Sequence, residues 1–207
     1  MNHTDNEISI AKYRKAAAHY DVSSQYTMPL RQRAINLLQL QPGQCVLDVG
    51  SGTGLSYDLL VRAVGAQGTV LAFEQSPEMF AHARIKAHEA GWQNLWHVCA
   101  TAQDVQLPHA ADAVLFNYVH DICRSPQAVA NIMRQVRPGS RVAMAGMKFF
   151  PWWTGPLNLL AWLKNRPYNA NAADLWSPWD IVQTYCHSFC VESTQWGMGY
   201  LASGIRK

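Results

Sequence analysis

The chain has 207 residues, of which 49% are hydrophobic and 15% charged, and its formal net charge is +3. The length is enough for one domain with a large core, and the composition is that of a globular chain, not of an intrinsically disordered one. The 17 basic residues form no cluster, which argues against a nucleic-acid partner. No stretch approaches the roughly 20 apolar residues of a membrane span. The polar N-terminus lacks the apolar core of a signal peptide, so we predict a cytoplasmic location.

The five cysteines are an odd number and are interpreted as reduced thiols, not as a disulfide framework. Cys186 and His187, with Cys190 nearby, are the one group with the residue types of a metal site. No second pair follows at zinc spacing, and we therefore predict no metal.

Short apolar runs alternate with helical patterns along most of the chain. Two helices are predicted first, over residues 8–21 and 29–40. Strands are then predicted at 45–49, 69–73, 95–99, 113–116 and 141–147, with helices at 55–63, at 79–90 and from Ser125 to a turn at 137–140. A helix at 178–185 and strands at 188–192 and 198–204 complete the chain. This order predicts an α/β fold with a doubly wound, mostly parallel seven-stranded sheet and helices on both faces.

We expect one domain over residues 1–207. It divides into an N-terminal helical cap (1–40), a ligand-binding core (41–147), an aromatic-rich insertion that we call the cover (148–180), and a closing helix and strands (181–207). The insertion holds five of the eight tryptophans and several prolines. Such a segment beyond the fifth strand is expected to cover a substrate, or alternatively to close the sheet edge by packing.

The most informative segment is VLDVGSGTG at residues 46–54, in which a predicted strand runs into glycines at every second position. Glycines there permit positive φ and a close approach of a ligand to the backbone, next to the N–H groups of the following helix. Asp48 precedes the glycines and suits a cationic amino group better than a pyrophosphate. Glu74 ends the second strand, where a carboxylate can accept both hydroxyls of a ribose. Together they indicate a nucleoside ligand with an amino-acid tail.

VLDVGSGTG resembles the first motif of the class I S-adenosylmethionine-dependent methyltransferases. FEQSPEM at residues 73–79 resembles the acidic second-strand motif of that family, and residues 94–105 resemble its adenine-contacting loop. Ala-Thr-Ala stands at 100–102 where the family often has Gly-Asp-Ala. The resemblance covers roughly residues 13–148 and implies the Rossmann-like methyltransferase fold, with S-adenosyl-L-methionine as cofactor and S-adenosylhomocysteine as its product.

The resemblance also implies which residues contact the cofactor. Asp48 and the mouth around Asn117 would hold the methionine part, and Glu74 the ribose. Met79 and Gln75 would flank the adenine, with Thr101 bonding through its hydroxyl, or Ala102 and Gln103 through backbone groups. The full set of expected cofactor-binding residues is Asp48, Gly50, Ser51, Gly52, Gly54, Glu74, Gln75, Met79, Thr101, Ala102 and Asn117.

The loop after the fourth strand, NYVHD at residues 117–121, should face the transferred methyl group. The sequence DAVLFNYVHDI resembles the His-Asp motif of small-molecule O-methyltransferases, which implies His120 as general base and Asp121 as its partner. Here the loop is one residue shorter, and Ile122 replaces the usual tryptophan. The alternative is that both are polar loop residues, with Asp121 positioning the next helix.

The acceptor site is expected to contain His120 together with aromatic residues from both ends of the chain. Tyr13 and Tyr20 would come from the N-terminal cap and Trp152 and Trp153 from the cover; core packing is the alternative for the tyrosines. The predicted function is methylation of a small apolar or aromatic molecule at oxygen, nitrogen or sulfur. A lipid head-group or quinone acceptor, with residues 157–162 resting on a membrane surface, is one alternative. A non-catalytic nucleoside-binding regulatory domain is the other.

Overall fold

The computed structural model describes residues 25–150, 154, 158 and 175–207. In these residues the helices are α1 (Met28–Leu37), α2 (Tyr57–Val64), α3 (Pro77–Ala90), α4 (His120–Cys123), α5 (Pro126–Arg134) and α6 (Asp180–Thr184). The strands are β1 (Cys45–Val49), β2 (Thr69–Glu74), β3 (Leu95–Cys99), β4 (Ala111–Asn117), β5 (Val136–Met147), β6 (Cys186–Thr194) and β7 (Gly199–Arg206). The helix predicted at 8–21 lies outside the described residues.

The seven strands form one sheet in the order β3-β2-β1-β4-β5-β7-β6. Strands β1 to β5 pair in parallel, and β7 runs antiparallel to both β5 and β6. The predicted fold class is therefore confirmed. The chain moves outward from β1 to β3 and then returns to the other side of β1 as β4. Ligands of open α/β sheets bind at such a reversal, beyond the carboxyl ends of the strands.

Side chains alternate across the sheet and bury two apolar layers. Val46 and Leu115 face the layer covered by α1 and α2, whereas Leu47 and Val114 face the layer covered by α5 and α6. This double burial explains the near-continuous apolar runs of the central strands. The sheet is thus a rigid base from which the loops at its carboxyl edge project.

Serine side chains start two of the helices. The Ser76 Oγ accepts a hydrogen bond from the N–H of Met79, and the Ser125 Oγ accepts one from the N–H of Ala128. Each serine is followed by proline, whose missing N–H costs nothing in the first helical turn. The predicted start at Ser125 is therefore confirmed. The cap at Ser76 directs α3 from the end of β2, beside Glu74.

The largest boundary error concerns the turn predicted at 137–140, which lies inside β5. The β4–β5 pairing passes from Ala111 opposite Val136 to Ala113 opposite Arg141, so the intervening residues bulge out while pairing continues. Arg137 forms an ion pair with Asp112 across this bulge. Smaller differences are that α1 ends at Leu37, α2 begins at Tyr57, and α6 is shorter than predicted. Among the described residues, no helix is both long and apolar enough to cross a membrane.

Candidate active site

A cleft opens at the carboxyl edge of the sheet, where β1, β2 and β4 end. It encloses about 590 Å³ of empty space, including its open mouth. Its walls come from α1, the glycine turn, the end of β2, the start of α3 and the segment after β4. The lining residues are Arg31, Gly50, Ser51, Gly52, Leu55, Glu74, Gln75, Met79, Asn117, Tyr118, Val119, Asp121 and Ile122.

The glycine turn forms the floor of this cleft. Gly52 has a φ of +59°, a left-handed conformation that favours glycine, and a Cβ added there would meet no atom within 4 Å. A side chain at this position would therefore enter the open space of the cleft. Gly54 differs, because an added Cβ would lie 2.6 Å from the ring of Tyr57. The ring's hydroxyl in turn bonds the Ser51 hydroxyl at 2.8 Å. The turn is thus tightly packed on the side of Tyr57 and open on the side of the cleft.

Glu74 joins the end of β2 to the glycine turn. One carboxylate oxygen accepts a hydrogen bond from the N–H of Gly52 at 2.9 Å, and the other accepts one from the N–H of Ser76 at 2.8 Å. Burial raises the pKa of Glu74, and the bonds from backbone N–H groups oppose this rise. A carboxylate has about four acceptor positions. Glu74 therefore keeps capacity to accept a further hydrogen bond from a ligand hydroxyl.

Two buried polar side chains, Asp48 and Asn117, lie near the carboxyl ends of the neighbouring strands β1 and β4. The Asp48 Oδ2 and the Asn117 Oδ1 find no hydrogen-bond partner within the described part of the chain. Burial raises the pKa of Asp48 to about 7, and the Glu74 charge adds to this rise, while Arg31 opposes it. Buried acceptors without donors are costly. This pair fits a bound group that supplies N–H donors, such as an ammonium.

The structure brings most of the predicted cofactor residues to the cleft. Gln75 and Met79 line the cleft next to Glu74. This is the side on which the family resemblance implies that the adenine binds. Thr101 and Ala102 do not line the cleft: the Thr101 hydroxyl donates to Asp104 at 2.7 Å, and the Ala102 carbonyl accepts from Asn131 at 3.1 Å. Their expected adenine contacts are therefore not part of the observed cleft wall.

His120 is not on a loop, as the sequence predicted, but begins the short helix α4. The side chain is buried, and its Nε2 lies 2.9 Å from the carbonyl oxygen and 3.1 Å from the nitrogen of Met147. Burial lowers the pKa of His120, although the neighbouring Asp121 opposes this. Of the two, Asp121 lines the cleft and His120 does not. Tyr13, Tyr20, Trp152 and Trp153 lie outside the described residues.

Sequence reasoning missed Arg31, whose buried side chain reaches the cleft from α1. Its Nε donates to the Thr27 hydroxyl at 3.1 Å, and its guanidinium carbon lies 5.0 Å from the ring centre of Tyr118. A signal was present in the sequence, because Arg31 precedes Ala34 and Ile35 by three and four residues. That spacing puts a charge on the apolar face of the helix.

Comparisons with known proteins agree with this geometry. Residues 46–139 match the family model described as a methyltransferase domain. The protein-L-isoaspartate O-methyltransferase of Aeropyrum pernix is 29% identical over 135 residues, covering 65% of this chain and 48% of that protein. The aklanonic acid methyltransferase DauC of Streptomyces sp. strain C5 is 25% identical, covering 84% and 80%. A methyltransferase structure from Aquifex aeolicus superposes with a TM-score of 0.69 at 18% identity, covering 96% of this chain and 98% of that one.

Residues 46–139 therefore carry a methyltransferase domain. This match confirms the enzyme class and the cofactor class predicted from VLDVGSGTG and Glu74, and the Aquifex aeolicus structure confirms the fold. The chain spans about half the length of the isoaspartate relative. Its own acceptor and the roles of its residues are consequently matters for proposal.

Proposed function

We propose that this protein transfers a methyl group from S-adenosylmethionine to a small apolar or aromatic acceptor in the cytoplasm, and that residues 1–207 act as one domain. The observation that carries this is the arrangement of three groups around one glycine turn. Glu74 and Asn117 line the cleft, and Glu74 offers acceptor positions there. The Asn117 Oδ1, and the Asp48 Oδ2 behind the glycine turn, are buried oxygens without a partner among the described residues. A nucleoside with an amino-acid tail has the complementary donors in that order.

The chemistry of the residues present suits the cofactor. Glu74 accepts the ribose hydroxyls, Met79 and Gln75 flank the adenine, and Asp48 and Asn117 accept from the amino group. Gly52 leaves open space above the turn, which a side chain would fill. The cofactor, when bound, supplies a methyl group already activated on a sulfonium. The chain must then mainly bind the acceptor in line and exclude water.

The described ends of the cover support an apolar acceptor. Met147, Phe149 and Leu175 form a small buried cluster, and Tyr118 packs against it from the cleft wall. Phe149 also meets Trp176 edge to face, with ring centres 5.2 Å apart. The expected acceptor side is therefore apolar and aromatic. The roles of Trp152, Trp153, Tyr13 and Tyr20 there stay predictions, as does the contact of the cover with an acceptor.

Whether the reaction can use a general base depends on which side chains reach the cleft. Asp121 lines the cleft, whereas the Nε2 of His120 is engaged by the Met147 backbone. General-base catalysis by His120 stays a prediction, and its test is the turnover of His120 variants. The names of curated relatives include acidic acceptors, namely an L-isoaspartate residue and aklanonic acid. An acid is ionised near pH 7 and needs no base to become a nucleophile.

Calorimetry with S-adenosylhomocysteine, followed by product detection, tests the function. The expected results are micromolar binding and formation of S-adenosylhomocysteine from S-adenosylmethionine with at least one member of a panel of phenols, carboxylic acids, thiols and amines. Asp48→Asn serves as the binding-impaired control. Binding without turnover for any acceptor would favour the non-catalytic regulatory domain, and absence of binding would contradict the assignment of the cleft.

A further inference from the structure

The turn between β6 and β7 presents one tryptophan side chain almost wholly to solvent. Trp196 is 98% exposed, although the rest of the turn is anchored to the start of the cover. The N–H of Lys148 donates to the Met198 carbonyl at 2.7 Å, and a Cβ added at Gly197 would lie 3.0 Å from the ring of Phe150. The turn is therefore a fixed support from which the largest apolar side chain type projects into water.

The backbone of this turn is strained at Trp196 itself. Gln195, Trp196 and Gly197 have φ values of +49°, +59° and +102°, and only the last of them is a glycine. The left-handed conformation is unfavourable for bulky side chains, whereas glycine and asparagine adopt it readily. Stability alone would thus favour glycine or asparagine at residue 196. Strain of this kind is typical of functional segments.

The other exposed aromatic side chains of the described residues lie at the same edge of the sheet. Because β5 ends at Met147 opposite Gly199, the turn after β6 lies at the carboxyl edge, where the cleft opens. Trp176 is half exposed and packs against Phe149, two residues beyond the end of β5. Tyr26 is exposed just before α1, whose first turn lines the cleft. Exposed aromatic rings therefore accompany the cleft mouth.

Positive charge accompanies these rings. Lys148 makes no ion pair within the part of the chain that the structure describes, and the exposed Arg124 lines one surface hollow with Trp176. Asp180 lines the same hollow, while Glu192 of β6 is held in an ion pair with an arginine of α1. This part of the edge thus carries a net positive charge. Aromatic rings together with cations are the side chains that bind the head-group region of anionic membranes.

We propose that this edge rests on an anionic lipid surface, with the ring of Trp196 inserted among the head groups. A protein partner would need a preformed pocket for a wholly exposed ring, whereas a head-group layer adapts to it, and tryptophan favours that layer because its ring is apolar and its N–H is polar. The cleft mouth then faces the lipid, so an apolar acceptor reaches it without crossing water. This surface goes beyond the proposed function and does not depend on it.

Flotation of the full chain with vesicles tests the proposal. One set of vesicles is an equimolar mixture of phosphatidylcholine and phosphatidylglycerol, and the other is phosphatidylcholine alone. The variants are Trp196→Asn, Trp196→Phe and, as a matched control, Ile85→Gln, which removes another exposed apolar side chain, in the middle of α3. Because asparagine tolerates the left-handed conformation, Trp196→Asn should not lower the melting temperature. It should also bind S-adenosylhomocysteine as the wild type does.

We expect the wild type to float with the anionic vesicles and to bind the neutral ones more weakly. Trp196→Asn should bind the anionic vesicles about 5- to 20-fold more weakly, because the apolar area of the ring no longer leaves water. Trp196→Phe should keep part of the affinity and Ile85→Gln all of it.

Three results would overturn the proposal: no flotation of the wild type with either set of vesicles, undiminished flotation of Trp196→Asn, or an equal loss in Ile85→Gln. If the wild type does not float and Trp196→Asn changes the oligomeric state, the turn belongs to a protein interface instead. Flotation of a wild type that binds no S-adenosylhomocysteine would support the lipid surface and contradict the proposed function.

Discussion

The imidazole of His120 is held against the backbone of Met147, at the point where β5 ends and the cover begins. Its Nε2 lies within hydrogen-bond distance of both the N and the O of Met147, and the tautomer decides which bond forms. The preceding residue must be glycine for this contact, because a Cβ at Gly146 would lie 2.7 Å from the same nitrogen. His120 therefore connects the segment that carries Tyr118 and Asp121 to the exit of β5.

Replacing His120 should lower the stability of the fold. His120→Ala is expected to reduce the free energy of unfolding by about 2–4 kcal/mol, since it removes a buried hydrogen bond and leaves a cavity. His120→Asn should lose less. Below the melting temperature, both variants are expected to keep the pH–rate profile of the wild type if the acceptor is already ionised. Loss of one limb of that profile in both variants would instead support His120 as the general base.

The stability contributed by His120 should depend on pH with a definite sign. Burial lowers its pKa in the folded protein, so the neutral form is favoured and this contribution is lost as the pH falls below the unfolded value of about 6.5. Urea unfolding at pH 7.5 and at pH 5.5 measures this. The difference in unfolding free energy between the wild type and His120→Asn should shrink at the lower pH. An unchanged difference would show that His120 does not change its protonation in this range on unfolding.

Asp48 should couple cofactor binding to the release of a proton. Its folded pKa of about 7 lies above the ordinary value of 3.8, so folding disfavours the charged form and the stability contribution falls as the pH rises from about 4 to 7. An ammonium group bound beside it favours the carboxylate. The affinity for S-adenosylhomocysteine is therefore expected to rise between pH 6 and pH 8. Calorimetry in phosphate and in Tris would count the released proton.

Two controls isolate that coupling. Asp48→Asn should bind more weakly and lose the proton release, and 5′-methylthioadenosine, which has no amino group on a tail, should show little pH dependence with the wild type. Equal proton release with both ligands would place the titrating group elsewhere.

Glu74→Gln should weaken binding of S-adenosylhomocysteine and 5′-methylthioadenosine to the same extent. Hydrogen bonds to a charged acceptor contribute about 1.5–3 kcal/mol each, so a loss of at least tenfold is expected from the two ribose hydroxyls. Glu89→Gln, a change at an exposed position of α3, is the matched control. A loss of affinity confined to S-adenosylhomocysteine would indicate that Glu74 contacts the amino-acid tail and not the ribose.

The two glycines of the turn should separate ligand binding from folding. Gly52→Ala places a methyl group in open cleft space, so affinity should fall at least tenfold with a stability cost of about 1–2 kcal/mol from its positive φ. Gly54→Ala forces a methyl group against the ring of Tyr57 and should cost about 2–4 kcal/mol of stability. Thermal unfolding together with calorimetry measures both. Normal affinity of Gly52→Ala for S-adenosylhomocysteine would contradict the conclusion that the glycine turn forms the floor of the ligand cleft.

The sequence alone determined the features that depend on neighbours along the chain. The bounds of β3 are predicted to the residue, and the positions of Asp48, the glycines and Glu74 follow from how a strand, a tight turn and a helix succeed one another. Parallel strands also bring their carboxyl ends to one edge, which is why Asn117 is expected close to Asp48 from the order of the strands. These are consequences of local spacing and of one general property of the fold.

Only the tertiary structure decided the environments of Arg31 and His120. Whether a helical arginine meets solvent, a carboxylate or an open cleft depends on the strand end against which its helix packs, and that strand lies more than 80 residues away. Likewise, the His120 imidazole could have turned to the cleft, but the absence of a side chain at Gly146 left space for it beside β5. Burial, counter-charges and free space arise where distant segments meet, and a pattern of neighbours along one chain does not contain them.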